Sequence, residues 1–201
     1  MQHFQKYLRS ILLMVCFLFV WGISNAQNWE ADFVRSINKK DGNSDVWKYT
    51  NRSAKVISAG LPVGMLATGL FTKNRKLQNE SIEMLGGLAL TIVTTEGLKQ
   101  LVNRQRPYQR YDGIYPDEYN DGKSFPSGHA SVAFFTATSL SINHPKWYVI
   151  APTFTWAIGV SYARLYYGQH NPTDLLASAV IGAGSAYAAD RINKWYHKKR
   201  K

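Results

Sequence analysis

The chain has 201 residues, 45% of them hydrophobic, and carries 24 Lys and Arg against 13 Asp and Glu, a formal net charge of +11. That length holds one domain, and no linker, internal repeat or low-complexity tract divides it. The positive balance would suit nucleic acid, but no recognition helix, zinc spacing or aromatic-basic interleaving accompanies it, which excludes nucleic acid as a partner.

Lys6 and Arg9 precede an apolar stretch from Ile11 to about Ile23, and Ser24-Asn25-Ala26 follows. Positive, apolar and small-x-small in that order is the pattern of a secretory signal. The apolar stretch falls short of the roughly 20 residues that a membrane span needs. Residues 1–26 therefore read as a signal peptide, with a first transmembrane helix as the alternative. The only cysteine, Cys16, lies inside this segment, so a cleaved chain would hold no thiol. Residues 27–53 read as an exported polar segment whose Trp29, Trp47 and Tyr49 suit a membrane interface.

Residues 54–201 hold further apolar stretches at about Ala54 to Phe71, Ile82 to Leu98, Ala130 to Ile142, Trp147 to Ala163 and Leu175 to Ala189. None alternates as a strand does, and the Gly, Ala, Ser and Thr within them let helices pack closely. The expected fold class is all-α: a helical bundle, integral to a membrane, with five or six transmembrane helices. A mean hydropathy of -0.26 is low for such a protein, because long polar loops dilute it.

Charge sets the orientation. One set of connecting pieces holds Lys73, Arg75 and Lys76, then Lys146, then Arg191, Lys194, Lys198, Lys199, Arg200 and Lys201, with Glu80 and Asp190 as the acids. The opposite set mixes signs, with Glu30, Asp32, Asp41, Asp45, Asp112, Asp117, Glu118 and Asp121 beside their bases. By the positive-inside rule the first set is cytoplasmic. The expected location is a bacterial inner membrane with the mixed loops in the periplasm; a soluble periplasmic protein is the alternative.

Three strings carry the chemistry: Lys99 to Pro107 (KQLVNRQRP), Pro126 to His129 (PSGH) and Arg164 to Asp174 (RLYYGQHNPTD). Together they supply three fixed cations, a hydroxyl beside a glycine, two histidines and one carboxylate, with no acidic run able to cage a metal. If the first string were one helix, Lys99 and Arg106 would lie within roughly 20° of one stripe. Ser127 is a good N-cap ahead of an apolar run, and Gly128 lets backbone approach a ligand, so an oxyanion there meets free amides and a helix dipole. In the third string Asn171 reads as N-cap and Pro172 as the first helical residue. Asp174 then leans back towards the ring of His170.

K-x6-R-P, P-S-G-H and R-x5-H-x3-D in this order resemble the phosphatidic-acid phosphatase type 2 superfamily, which includes lipid phosphatases, soluble bacterial acid phosphatases and vanadium haloperoxidases. The resemblance covers roughly residues 54 to 190, and all three strings in order are specific. One departure is Ala163, where the third motif usually has Ser before Arg164; it removes a hydroxyl and leaves every charged position intact.

The resemblance implies a metal-independent, cofactor-free phosphatase acting on a lipid phosphate of the phosphatidate, phosphatidylglycerol phosphate, undecaprenyl pyrophosphate or lipid A type, with 54–201 as its helical phosphatase domain. A soluble periplasmic acid phosphatase with the same residues is the alternative. It implies that His170 is the nucleophile, forming a phosphohistidine, and that Asp174 holds the other ring nitrogen. His129 is then the acid for the leaving oxygen and the base for water. Lys99, Arg106, Ser127, Gly128 and Arg164 bind the phosphoryl oxygens. The oligomeric state stays open.

Other residues have ordinary readings. His144, in NHPK, is a solvated loop residue; Asn103, Arg104 and Arg110 form a solvated basic rim; and Arg106, before Pro107, also ends a helix. The acidic loop Tyr111 to Lys123 is placed to cover the site.

Overall fold

The structure is a computed structural model that describes residues 27–199 apart from 41 and 43. The expected signal or first transmembrane helix, Arg200 and Lys201 lie outside the described residues. Among those described there is no strand. The helices are α1 (Gln27–Ile37), α2 (Asp45–Phe71), α3 (Arg75–Val102), α4 (Pro107–Arg110), α5 (Gly128–Asn143), α6 (Trp147–Tyr166) and α7 (Pro172–Lys199).

Each long helix stops where the sequence supplies a terminator. Asn74 accepts from the Leu77 amide at 3.1 Å and caps the start of α3. Asn103, at φ 51, closes its end in the left-handed conformation that Asn tolerates. Arg106 therefore does not continue the helix of Lys99; it is the N-cap of α4, ahead of Pro107. The shared stripe expected for these two cations does not form, and a tertiary fold of the chain brings them together instead. At the other boundary, α2 starts at Asp45 rather than near Ala54, because its first turns are polar on the face that meets a cavity.

The long helices run alternately, so their ends fall into two sets. The turns after α1, α3 and α6 and the starts of α2, α5 and α7 share one end, where all three strings lie. The short turns at Thr72 to Asn74 and His144 to Lys146 and the close of α7 occupy the other.

α5 is the central element, packed on α2, α3, α6 and α7. It is buried on every side, which is why it shows no apolar stripe of its own. Ala133 and Ala137 meet Ala54, Ala157 and Val160 on one flank, and Phe135 meets Leu88 and Ala186 on the other. Small residues set these close approaches: a Cβ on Gly87 would lie 2.5 Å from the Phe135 ring and 2.8 Å from Ala189. Truncating fully buried Phe135 to Ala would cost about 3–5 kcal/mol through the cavity left behind. Polar side chains inside pair up, as Thr136 and Ser58 do at 2.9 Å.

Bulky apolar side chains point the other way. Val63, Val93, Ile158 and Val180, on α2, α3, α6 and α7, are all more than half exposed. Among the described residues one helix, Asp45–Phe71, is both long and apolar enough to cross a membrane.

Candidate active site

Lys99 at the end of α3, Arg106 beyond it, Gly128 and His129 at the start of α5, Arg164 in the last turn of α6 and His170 before α7 line one cavity of about 390 Å³. The sequence predicted these residues as a set, and the structure places them on a common space. Ser127 is the exception. It is fully buried, its hydroxyl accepts from the Ala130 amide at 3.5 Å, and its role here is to cap α5 beside the cavity.

The cations approach from three directions. Lys99 Nζ lies 2.7 Å from Glu96 and 3.6 Å from where a Gly128 Cβ would stand, an ordinary van der Waals contact, so the ammonium sits close to the Gly128 backbone. Arg106 donates from Nε to the Gly122 carbonyl at 2.9 Å and from Nη1 to Gln169 Oε1 at 2.9 Å, which fixes its plane. Arg164 donates from Nη1 to Asn51 Oδ1 at 3.0 Å, while its buried Nε has no partner. Thr95, also on the lining, has a buried hydroxyl without a partner. Each is a buried polar group that the protein itself leaves without a hydrogen-bond partner.

His170 is buried, and its Nδ1 lies 2.7 Å from the Ser124 carbonyl. A carbonyl only accepts, so Nδ1 carries the hydrogen and Nε2 keeps its lone pair. That Nε2 stands 3.5 Å from Arg106 Nη1, at the cavity. Burial, with Arg164 and Arg106 adding to it and Asp174 opposing, holds the His170 imidazole down at about 4. It is neutral at pH 7.

Asp174 does not take the place expected for it. Its nearest oxygen is 3.8 Å from His170 Nδ1, outside hydrogen-bond range. The fully buried carboxylate instead accepts from Arg104 Nη1 at 2.7 Å, from the Ser124 hydroxyl at 2.5 Å and from the Asn171 amide at 2.7 Å. The last bond is the N-terminal capping expected of Asn171-Pro172-Thr173-Asp174. Asp174 thus positions His170 through Ser124, which gives one group to the carboxylate and one to the ring.

Arg104 is no solvated rim residue. Its guanidinium bridges Asp174 and Glu30 Oε2, the latter at 2.5 Å, and its side chain is 18% exposed. Glu30, on α1 and 1% exposed, also accepts from the Thr173 hydroxyl at 2.5 Å. Sequence gave no signal for this link, because α1 reads as a polar surface helix and its partners stand far along the chain. The loop from Tyr111 to Lys123 does reach the site: Gly122 and Asn120 line the cavity, and Gln169 donates to Asp117 at 2.8 Å. Among the described residues no group of three or more His, Cys, Asp or Glu could hold a metal ion.

The bundle gathers two histidines and three cations at one end, on one cavity. Residues 80–198 match the sequence profile of the PAP2 superfamily, and the chain belongs to that family. It is 30% identical over 128 residues to an undecaprenyl-diphosphatase of Sulfolobus acidocaldarius, covering 61% of this chain and 58% of that one. It is 36% identical over 106 residues to a lipid A 4'-phosphatase of Bacteroides thetaiotaomicron, covering 47% of each. The chain thus spans about half the length of these curated relatives. The fold is similar to the crystal structure of Aquifex aeolicus LpxE, with TM-score 0.66, 25% identity and coverage of 80% of this chain and 93% of that one. It is also similar to a transmembrane PAP2-type phosphatidylglycerolphosphate phosphatase from Bacillus subtilis, with TM-score 0.67, 23% identity and 96% of both chains covered.

Proposed function

We propose that the protein is a metal-independent phosphatase that hydrolyses a lipid phosphate through a phosphohistidine. The observation that carries this reading is the convergence of the bare His170 Nε2, His129 and the cations Lys99, Arg106 and Arg164 on one cavity. Nε2 attacks phosphorus; a P–N bond forms as the P–O bond to the lipid breaks, and the leaving oxygen takes its electron pair and a proton from His129. Water then attacks the phosphohistidine, His129 takes a proton from it, and inorganic phosphate leaves with His170 restored. The fixed cations complement charge spread over the phosphoryl oxygens in each transition state. Among the carboxylates beside the site, Asp174 and Glu30 are paired with Arg104 and Glu96 with Lys99.

The membrane setting is supported by an interior of Ser, Thr, Gly and Ala wrapped in exposed Val, Ile and Leu. We assign α2, α3, α5, α6 and α7 to the bilayer of a bacterial inner membrane, with the N-terminal segment as a sixth span or a cleaved signal. Positive-inside counting then turns the catalytic end to the periplasm. The relatives' substrates, undecaprenyl diphosphate, lipid A and phosphatidylglycerol phosphate, all present a phosphoryl group on a lipid.

The test is covalent trapping. Purified protein quenched during turnover of a labelled lipid phosphate should carry acid-labile phosphate, lost in His170→Ala, with turnover unaffected by excess chelator and inhibited by vanadate. A His170→Ala variant within tenfold of wild type, or strict dependence on Mg²⁺ or Zn²⁺, would sink this mechanism.

A further inference from the structure

Beside the catalytic cavity lies a larger one, of about 950 Å³, which shares His129 and Arg164 with it and is lined on the loop side by Asp117, Glu118 and Gln169. Gln169, the residue before His170, is 2% exposed and has every polar group engaged. Its backbone amide donates to the Arg164 carbonyl at 3.0 Å, and its backbone carbonyl accepts from Arg106 Nη1 at 3.1 Å. The side-chain oxygen accepts from the same Nη1 at 2.9 Å, while Nε2 donates at 2.8 Å to Asp117 Oδ1 and at 2.8 Å to the Glu118 carbonyl. Turned over, the amide would set a donor against the guanidinium and an oxygen against two oxygens, so only one orientation satisfies it.

The amide therefore stands between a cation of the catalytic cavity and a carboxylate of the loop. Among the described residues Arg106 makes no ion pair: its oxygen acceptors are the Gly122 carbonyl and the two oxygens of Gln169, all neutral. Lys99 and Arg104, at the same end, each hold a carboxylate instead. A neutral acceptor fixes the plane of a guanidinium and leaves its charge for an anion, whereas a carboxylate in that place would take two donors and cancel much of the charge. Asp117 is the carboxylate at hand. Burial presses the Arg106 guanidinium below its ordinary value, and Tyr108, Asp174 and Asp117 oppose that from further off. What holds the Asp117 oxygen back is Gln169 Nε2.

We propose that Gln169 is a positioning residue that holds Arg106 through a neutral acceptor and keeps the Asp117 carboxylate from pairing with it, so that the guanidinium stays available to the phosphoryl oxygens. This rests on the phosphatase reading above, in which Arg106 binds those oxygens. Without the amide, Asp117 loses a donor and Arg106 an acceptor, and the two opposite charges close on each other. A phosphoryl group must then displace a carboxylate before it binds. Gln169 acts through Arg106 and touches no reacting atom.

The test measures binding of inorganic phosphate by calorimetry on the full chain in detergent, beside turnover of nitrophenyl phosphate. Gln169→Leu removes the amide, and Gln169→Glu, nearly the same size, sets a carboxylate on Arg106. Each should weaken phosphate binding and lower kcat/KM by at least about tenfold, the value of one charge-assisted contact. Asp117→Asn added to Gln169→Leu should return phosphate binding to within about threefold of wild type, whereas in the wild-type background it should bring no gain. A part played only in folding would lower the unfolding temperature and leave both the phosphate Kd of folded protein and the rescue unmoved. Phosphate binding within about threefold of wild type in folded Gln169→Glu, or no recovery when Asp117→Asn joins Gln169→Leu, would overturn the proposal and leave the phosphatase reading standing. Wild type that binds phosphate yet hydrolyses no phosphate ester would overturn that reading, with the role of Gln169 still read from the binding data. Folded wild type that binds no phosphate would overturn both.

Discussion

His170 turns its Nδ1 to the backbone carbonyl of Ser124, 2.7 Å away, rather than to the carboxylate of Asp174. A carbonyl acceptor fixes the tautomer, and the Asp174 carboxylate stands 3.8 Å from the same nitrogen without a hydrogen bond to it. In ¹⁵N spectra of histidine-labelled protein, with His170 assigned by its loss in His170→Ala, Nδ1 should be protonated and Nε2 bare at pH 5.5. Folded His170 titrates at about 4 against about 6.5 unfolded. The unfolded chain therefore binds the extra proton across that window, and this stabilising contribution is full above pH 6.5 and fades as pH falls towards 4. A protonated Nε2 at pH 5.5 would contradict the assignment.

Glu30 ties α1 to the site through Arg104, and the chain from Glu30 to Arg104 to Asp174 is almost dry. Glu30→Gln leaves the Arg104 charge compensated by Asp174 alone and should destabilise the fold by about 1–3 kcal/mol, the cost of removing one partner of a buried polar group. Glu30→Gln combined with Arg104→Gln should cost clearly less than the sum of the two single variants, because the double variant no longer strands Glu30, and the loss it keeps is that of Asp174 without its cation. Thermal unfolding of the four proteins in detergent gives the cycle; additive losses would show that the contact carries no coupling.

The site was legible in sequence where its chemistry is local. His170, Asn171, Pro172 and Asp174 write their own helix start, and PSGH writes another, so capping rules alone place both histidines at helix N-termini. What sequence hid was tertiary. Asn103 in the left-handed conformation throws Arg106 off the helix of Lys99, yet the bundle returns both to one cavity. Arg104, one residue beyond that turn, looked like a surface cation because its acids come from α1 and α7. The carboxylate of Asp174, close in sequence to His170, is drawn instead to Arg104 and Ser124. The polar face of α2 likewise masked the true start of that helix.

Orientation can be read without activity. The turn at Lys73 to Lys76 lies at the end opposite the active site, and Lys76 is well exposed there. A cysteine placed at position 76 should be reached by a membrane-impermeant thiol reagent only after cells are opened, while one at position 119, on the loop over the cavity, should react in cells whose outer membrane alone is permeabilised. Labelling at 76 from the periplasm would reject the proposed topology.

His129 and Arg164 line both cavities, and His170 lines the smaller one with them. If it protonates the leaving oxygen, His129→Ala should cost about 10²–10⁴ in rate for a lipid monophosphate, whose alcohol leaves poorly without a proton. A nitrophenyl phosphate, whose leaving group is a stable anion, should lose far less. Arg164→Ala is the control, since it loosens the grip on phosphoryl oxygens that both substrates share, and its losses should be similar for the two. The ratio of losses therefore separates proton transfer from binding even where both variants are slow. Equal losses for His129→Ala on the two substrates, measured on folded protein, would show that His129 only binds phosphate and that the acid lies elsewhere.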